Sequence, residues 1–189
     1  YDLMLISGYV TTGLGMWALA YWLTRRRSVA MLAAVVYAFS GFTQMKATAH
    51  PAGVALGLFP LLLLALLRLW QRPTPRRAVV VAVPWALLAY TDGYYLVFSC
   101  VTVVGMVVGL GAAAVARREA RRILPSRVAA LALASGCALV LMVPVAVATL
   151  AGGTASTGVP DRSLRDAVAY SARPLEYLVP SLTHPWFGE

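Results

Sequence analysis

The sequence predicts an all-α protein: a polytopic transmembrane helical bundle of about six spans, two of them short, followed by an external C-terminal loop and a short interfacial helix. Three observations predict it. Hydrophobic residues make up 60% of the chain and charged residues only 12%, with a mean hydropathy of +0.75. Soluble domains average about 25% charged. The apolar residues also form runs of helix length, not the mixed pattern that buries one core. Finally, the basic residues gather in alternate gaps between those runs, the bias of a multi-pass protein.

The runs cover about 3–23, 28–42, 52–70, 78–90, 94–115 and 128–150. Arg25, Arg26 and Arg27 stop the first, whose Gly8, Thr12 and Gly15 share one face at the spacing of close helix contact. The second is short, and the polar stretch 43–50 follows it. The third starts at Pro51 or Ala52 and contains Pro60, read as a kink whose freed carbonyl a neighbouring helix or water must satisfy. The fourth holds Pro84 and is roughly 20 Å long against a hydrocarbon slab of about 30 Å. Thr91, Asp92 and Gly93 form the turn after it. The fifth presents Gly105-x-x-x-Gly109 as a packing face, and the sixth carries Pro144.

Residues 1–150 are therefore the membrane bundle and 151–189 an extracytoplasmic segment. Gly152, Gly153 and Gly158 make a flexible exit from the membrane. Ser163-x-x-Asp166 resembles a capping box opening a short helix that lies at the outer surface and ends at Pro174. The aromatic residues within 177–188 read as an ordered interfacial loop.

Charge fixes the orientation. Twelve of the 16 basic residues lie in the arginine gaps 25–27, 68–77 and 117–127; Lys46, Arg162, Arg165 and Arg173 lie in the others. The arginine gaps are cytoplasmic by the positive-inside rule, which places the chain in the plasma membrane with both ends outside. An odd number of spans is then expected before Tyr1, making the chain an internal piece of a longer protein. The net charge of +9 follows from these membrane turns and does not indicate a nucleic-acid partner. Cys100 and Cys137 fall inside apolar runs and read as small buried hydrophobes, not a disulfide or metal site.

Short spans suggest where chemistry can sit. The turn after a short helix lies below the outer surface, where irregular backbone needs a protein-lined or watery space. The second and fourth runs both end there, suggesting an external cavity with His50 and Asp92 on its floor and Lys46 near its rim. Asp92 can be an acceptor, a metal ligand or a cation's partner, or simply the first residue of an Asp-Gly turn. Tyr94 and Tyr95 can anchor the interface, pack, or offer a phenol to a sugar or phosphate. His50, before Pro51 at a helix start, suits an anion or plain capping. His184, beside Pro185, can fold over the cavity mouth or be structural, and Arg173 can bind a phosphate or stay solvated. No HExxH, CxxC, GxSxG or Walker motif is present.

The stretch GLGMWALAYWLTRRRSVAMLAAVVYAFSGF at 13–42 resembles the GT-C superfamily of polytopic glycosyltransferases, nearest the bacterial YfhO-type membrane proteins. His50 before a run containing Pro60, the Tyr94-Tyr95 pair after a short helix, and His184-Pro185 within 181–188 fit the same pattern. The resemblance implies transfer of a sugar from a polyprenyl-phosphate donor to a glycan, lipid or protein acceptor at the outer face, with membrane lipid around it. It also implies a catalytic acid in a loop upstream of Tyr1, leaving His50, Asp92, Tyr94, Tyr95, Lys46, Arg173 and His184 to bind substrate. His50, with Lys46 or Arg173, would stabilise the leaving phosphate. No cofactor is assigned; the family's paired acidic motif is missing from 43–50, so a divalent metal and a non-catalytic member both stay open. Two rival readings remain: a transporter or lipid flippase, and a non-catalytic membrane scaffold.

Overall fold

The computed structural model describes residues 2–49, 56–91 and 93–152. These residues form α1 (Asp2–Thr24), α2 (Arg27–Ala38), α3 (Gly41–Ala49), α4 (Leu58–Gln71), α5 (Pro75–Thr91), α6 (Gly93–Ala116) and α7 (Ala120–Gly152). The chain divides into two units, Tyr1–Thr149 and Leu150–Glu189, and every contact described below belongs to the first. Four helical stretches are long and apolar enough to cross a membrane: Asp2–Thr24, Arg27–Met45, Gly93–Ala116 and Arg121–Ala148. The shorter α4 is also apolar. The result is an all-helical membrane bundle.

α1, α2, α6 and α7 each turn one stripe inward, whereas α4 is buried over a wider arc that includes Leu64, Ala65 and Leu66. α1 buries Gly8, Thr12, Gly15 and Leu19, and α2 buries Ala30, Ala34 and Ala38. Leu62, Leu66 and Leu69 of α4 meet Val81 and Leu88 of α5, Tyr95 and Val103 of α6, and Ala130 and Ala134 of α7 in one core. All of these spacings are multiples of the helical repeat. The opposite faces are apolar as well: Leu3, Ile6, Val10 and Leu14 on α1 and Val97, Val101, Val104 and Val108 on α6 are each more than half exposed. Faces of that extent need hydrocarbon against them. Since lipid is as apolar as leucine, packing and polar contacts, not water exclusion, must then hold the helices together.

Two of the arginine turns contain a left-handed arginine. Arg25 and Arg118 both have φ 58°. The Arg25 amide donates to the Tyr21 carbonyl at 2.8 Å, closing α1. At the end of α6, Arg118 donates to Val115 at 2.9 Å and Glu119 to Ala114 at 3.0 Å, the paired bonds of a Schellman motif whose left-handed position is usually glycine.

Several expected boundaries move. The second run does not end in an irregular polar exit. α2 stops at Ala38, Phe39 and Ser40 form a break, and the polar stretch continues as α3. Ser40 starts α3: its hydroxyl accepts the Thr43 amide at 3.4 Å, and the Thr43 hydroxyl returns to the Tyr37 carbonyl at 3.1 Å. Pro60 is not a kink but lies in the first turn of α4, where a missing N–H removes no helical bond. α5 starts at Pro75, a preferred first helical residue, with Thr74 capping the Arg77 amide at 3.4 Å. It therefore runs for 17 residues, about 25 Å. Pro84 and Pro144 lie inside α5 and α7, as their runs imply.

Candidate functional site

A second described break in the helices is the Leu56–Gly57 turn that opens α4, and α1 and α2 are shaped to receive it. Both turn residues are buried. The Gly57 amide donates to the Thr12 hydroxyl at 3.2 Å, and the Tyr37 hydroxyl donates to the Leu56 carbonyl at 3.2 Å. The Gly57 amide is thus satisfied by a side chain of α1, and the Leu56 carbonyl, which also accepts the Phe59 amide at 3.1 Å, takes a second bond from α2. Partners of this kind are what broken helices inside a membrane require. The approach tolerates no Cβ: one on Gly15 would overlap the Gly57 carbonyl, and one on Gly57 would overlap the Thr11 carbonyl. Thr12 lies near the middle of the 23-residue α1, roughly 15 Å from its start.

Among the described residues Thr12, Thr43 and Ser99 are the buried polar residues, and the latter two are engaged locally. The buried Trp85 Nε1 and Arg127 Nη1 have no hydrogen-bond partner among the described residues. Thr43 binds the Tyr37 carbonyl, and the Ser99 hydroxyl donates to the Leu96 carbonyl at 2.7 Å. Of the sequence-predicted site residues, Tyr95 is only 1% exposed and packs edge-on against Phe59, with ring centroids 5.5 Å apart. Tyr94, its neighbour, is 61% exposed on the outside of α6. Lys46 belongs to α3, but its side chain is outside the described residues, as are His50, Asp92, Arg173 and His184 entirely. The shared chamber expected of His50 and Asp92 therefore also lies outside them.

Among the described residues, two large grooves lie between neighbouring helices. One, of about 490 Å³, lies between α1 and α2 along Gly13, Trp17, Met31 and Ala38 and is apolar throughout. The other, of about 590 Å³, lies between α4 and α5 along Leu61, Val80, Val83 and Leu87, with Arg68 and Arg77 at one end. Sequence reading missed this second groove, although the opposed apolar runs and the arginines between them are its signal.

The arginine end also closes α4. The Arg77 Nη1 donates to the Arg68 carbonyl at 2.6 Å, and the Arg127 Nε donates to the Trp70 carbonyl at 2.6 Å. Both carbonyls lie in the last turn of α4, where the Arg68 carbonyl also accepts the Arg72 amide at 3.2 Å. Arg127 also lies 5.1 Å from the Trp70 ring centre, a cation–π contact. The Gly105 and Gly109 face, by contrast, packs on nothing among the described residues: a Cβ at either position would meet no atom within 4 Å. No group of three His, Cys, Asp or Glu side chains gathers among the described residues.

Comparison with known proteins gives one positive finding. No curated protein and no solved structure matches the chain. A family model described as "6-pyruvoyl-tetrahydropterin synthase related domain; membrane protein" matches residues 1–180. This overturns the resemblance to the GT-C superfamily and its YfhO-type members, and no glycosyltransferase assignment survives it. The motifs behind that resemblance have a simpler origin in helix construction. Gly15 seats a turn, Arg25 closes a helix and Ser40 opens one. With nearly its whole length matched, the chain belongs to the 6-pyruvoyl-tetrahydropterin synthase related family of membrane proteins.

Proposed function

We propose that the chain is a non-catalytic membrane scaffold, a helical module that works by packing and not by polar chemistry. The observation that carries this reading is the Thr12–Gly57 seat. Inside the bundle, Thr12, Thr43 and Ser99 are each committed to helix or turn backbone, and both large grooves are lined mainly by apolar side chains. From the family the proposal takes only its membrane character. The same reading puts the module in the plasma membrane with the arginine turns facing the cytoplasm. The gathering of Arg68, Arg77, Arg117 and Arg127 around the end of α4 supports that side.

The test is complementation of a strain lacking the gene, scored on the growth or envelope defect that the deletion causes. One variant removes His50, Asp92 and His184 together by alanine substitution; the other is Gly57→Leu. The scaffold reading predicts full rescue by the triple variant and none by Gly57→Leu. Loss of rescue in a triple variant that inserts and folds normally would establish polar chemistry and end the scaffold reading.

A further inference from the structure

The groove between α4 and α5 has the form of a lipid site with a head and a tail. Its tail region is apolar and faces outward: Val80, Val83 and Leu87 are 58%, 45% and 46% exposed. Its head is marked by Arg68 and Arg77. Arg68 is separated from Leu58, and Arg77 from Leu87, by about ten residues of helix, or roughly 15 Å. That is half of a hydrocarbon core of about 30 Å, the depth of a single leaflet.

Charge at the head end is unbalanced. Arg68, Arg72, Arg76 and Arg77 lie within one short stretch, and no Asp or Glu occurs anywhere in 56–91. Arg77 is also held in place: its Nη1 donates to the carbonyls of Arg68 at 2.6 Å and Arg72 at 3.4 Å. Its side-chain bonds within the described residues come from Nη1, so the anchoring leaves the Nε and Nη2 edge of the planar guanidinium for an anion. A fixed guanidinium binds phosphate with less loss of freedom than a mobile one. The groove between α1 and α2 is a useful contrast, because it is apolar along its length and has no charged residue at either end.

We propose that the α4–α5 groove binds one anionic phospholipid of the cytoplasmic leaflet. Its acyl chain lies along Leu61, Val80, Val83 and Leu87, and its phosphate is held by Arg68 and Arg77. Basic pockets between membrane helices on the cytoplasmic side are suited to such headgroups. The site does not depend on whether the bundle is a scaffold.

The experiment places the full chain in nanodiscs of phosphatidylcholine with a minor fraction of phosphatidylglycerol and counts retained lipids by native mass spectrometry. The wild-type protein is expected to retain phosphatidylglycerol selectively. Arg68→Gln should weaken that retention about fivefold. The substitution leaves the Arg68 carbonyl in place as the acceptor for Arg77, so α4 still closes. Val83→Trp, which fills the tail region from an exposed position, should abolish retention, while Arg25→Gln with Arg26→Gln at the other turn should not change it. Equal retention of both lipids, no effect of Arg68→Gln, no effect of Val83→Trp, or an equal loss in the Arg25/Arg26 control would each overturn the proposal.

Discussion

The Gly57 amide donates to the hydroxyl of Thr12 at 3.2 Å, joining residues 45 positions apart in the chain. That bond ties the start of α4 to the middle of α1 and lets a helix begin where no water is available to its backbone. The consequences for stability are specific, because each partner has a distinct atom at stake.

Thr12→Val keeps the shape of the side chain and removes the acceptor, leaving the Gly57 amide buried and unpaired. A loss of about 1–3 kcal/mol is expected, read as a lower unfolding temperature in detergent. Thr12→Ser keeps the oxygen and should recover most of it. Equal losses in both variants would show that the methyl group, not the hydrogen bond, matters at this position.

Glycine substitutions should separate sharply by position. A Cβ on Gly57 or Gly15 meets backbone, which cannot give way, whereas one on Gly13 would lie 3.8 Å from the Ala38 Cβ, an ordinary contact. Gly57→Ala and Gly15→Ala should each destabilise by about 1–3 kcal/mol or more. Gly13→Ala should stay within about 0.5 kcal/mol of the parent. Thermal unfolding of the three variants by circular dichroism makes the comparison.

These two residues also show what can be read from sequence. The small stripe Gly8, Thr12, Gly15 is visible as a packing face, because spacing alone puts those residues together. What packs there is not visible: the visitor is a turn, not a helix, and arrives from far along the chain. The same limit explains Gly105 and Gly109, which have the right spacing and no neighbour among the described residues. The membrane class and the basic turns were legible because they depend on composition and local order. The Ser40 break was not, since one hydroxyl accepting the Thr43 amide decides it against a continuous apolar pattern. Pro60 was misplaced for a related reason, as its effect depends on which turn of the helix it occupies.

Left-handed arginine is an unusual way to end a helix, and it leaves room for improvement. At Arg118, with φ 58°, a side-chain-bearing residue is strained by roughly 1–2 kcal/mol. Arg118→Gly should therefore raise stability by about 1 kcal/mol. Arg118→Val should lower it. A fall in unfolding temperature for the glycine variant would mean that the arginine side chain makes up for its own strain.

Arg127 is expected to resist conservative exchange. It closes α4 through the Trp70 carbonyl and lies over the Trp70 ring. Arg127→Lys retains the charge but lacks the planar fork that makes both contacts. It should be nearly as destabilising as Arg127→Met, by about 1–2 kcal/mol. Unfolding temperatures of the two variants side by side give the answer, and a lysine variant equal to the parent would reduce the residue's role to charge.

The most direct measurement is hydrogen exchange at the Gly57 amide of the full chain in lipid nanodiscs. A turn seated at the middle of α1, bonded to Thr12 and shielded from water, should exchange as slowly as the core of α4, and Thr12→Val should accelerate it. Exchange at the rate of an exposed loop in the parent protein would contradict the buried seat, and with it the arrangement of α1, α2 and α4 around that turn.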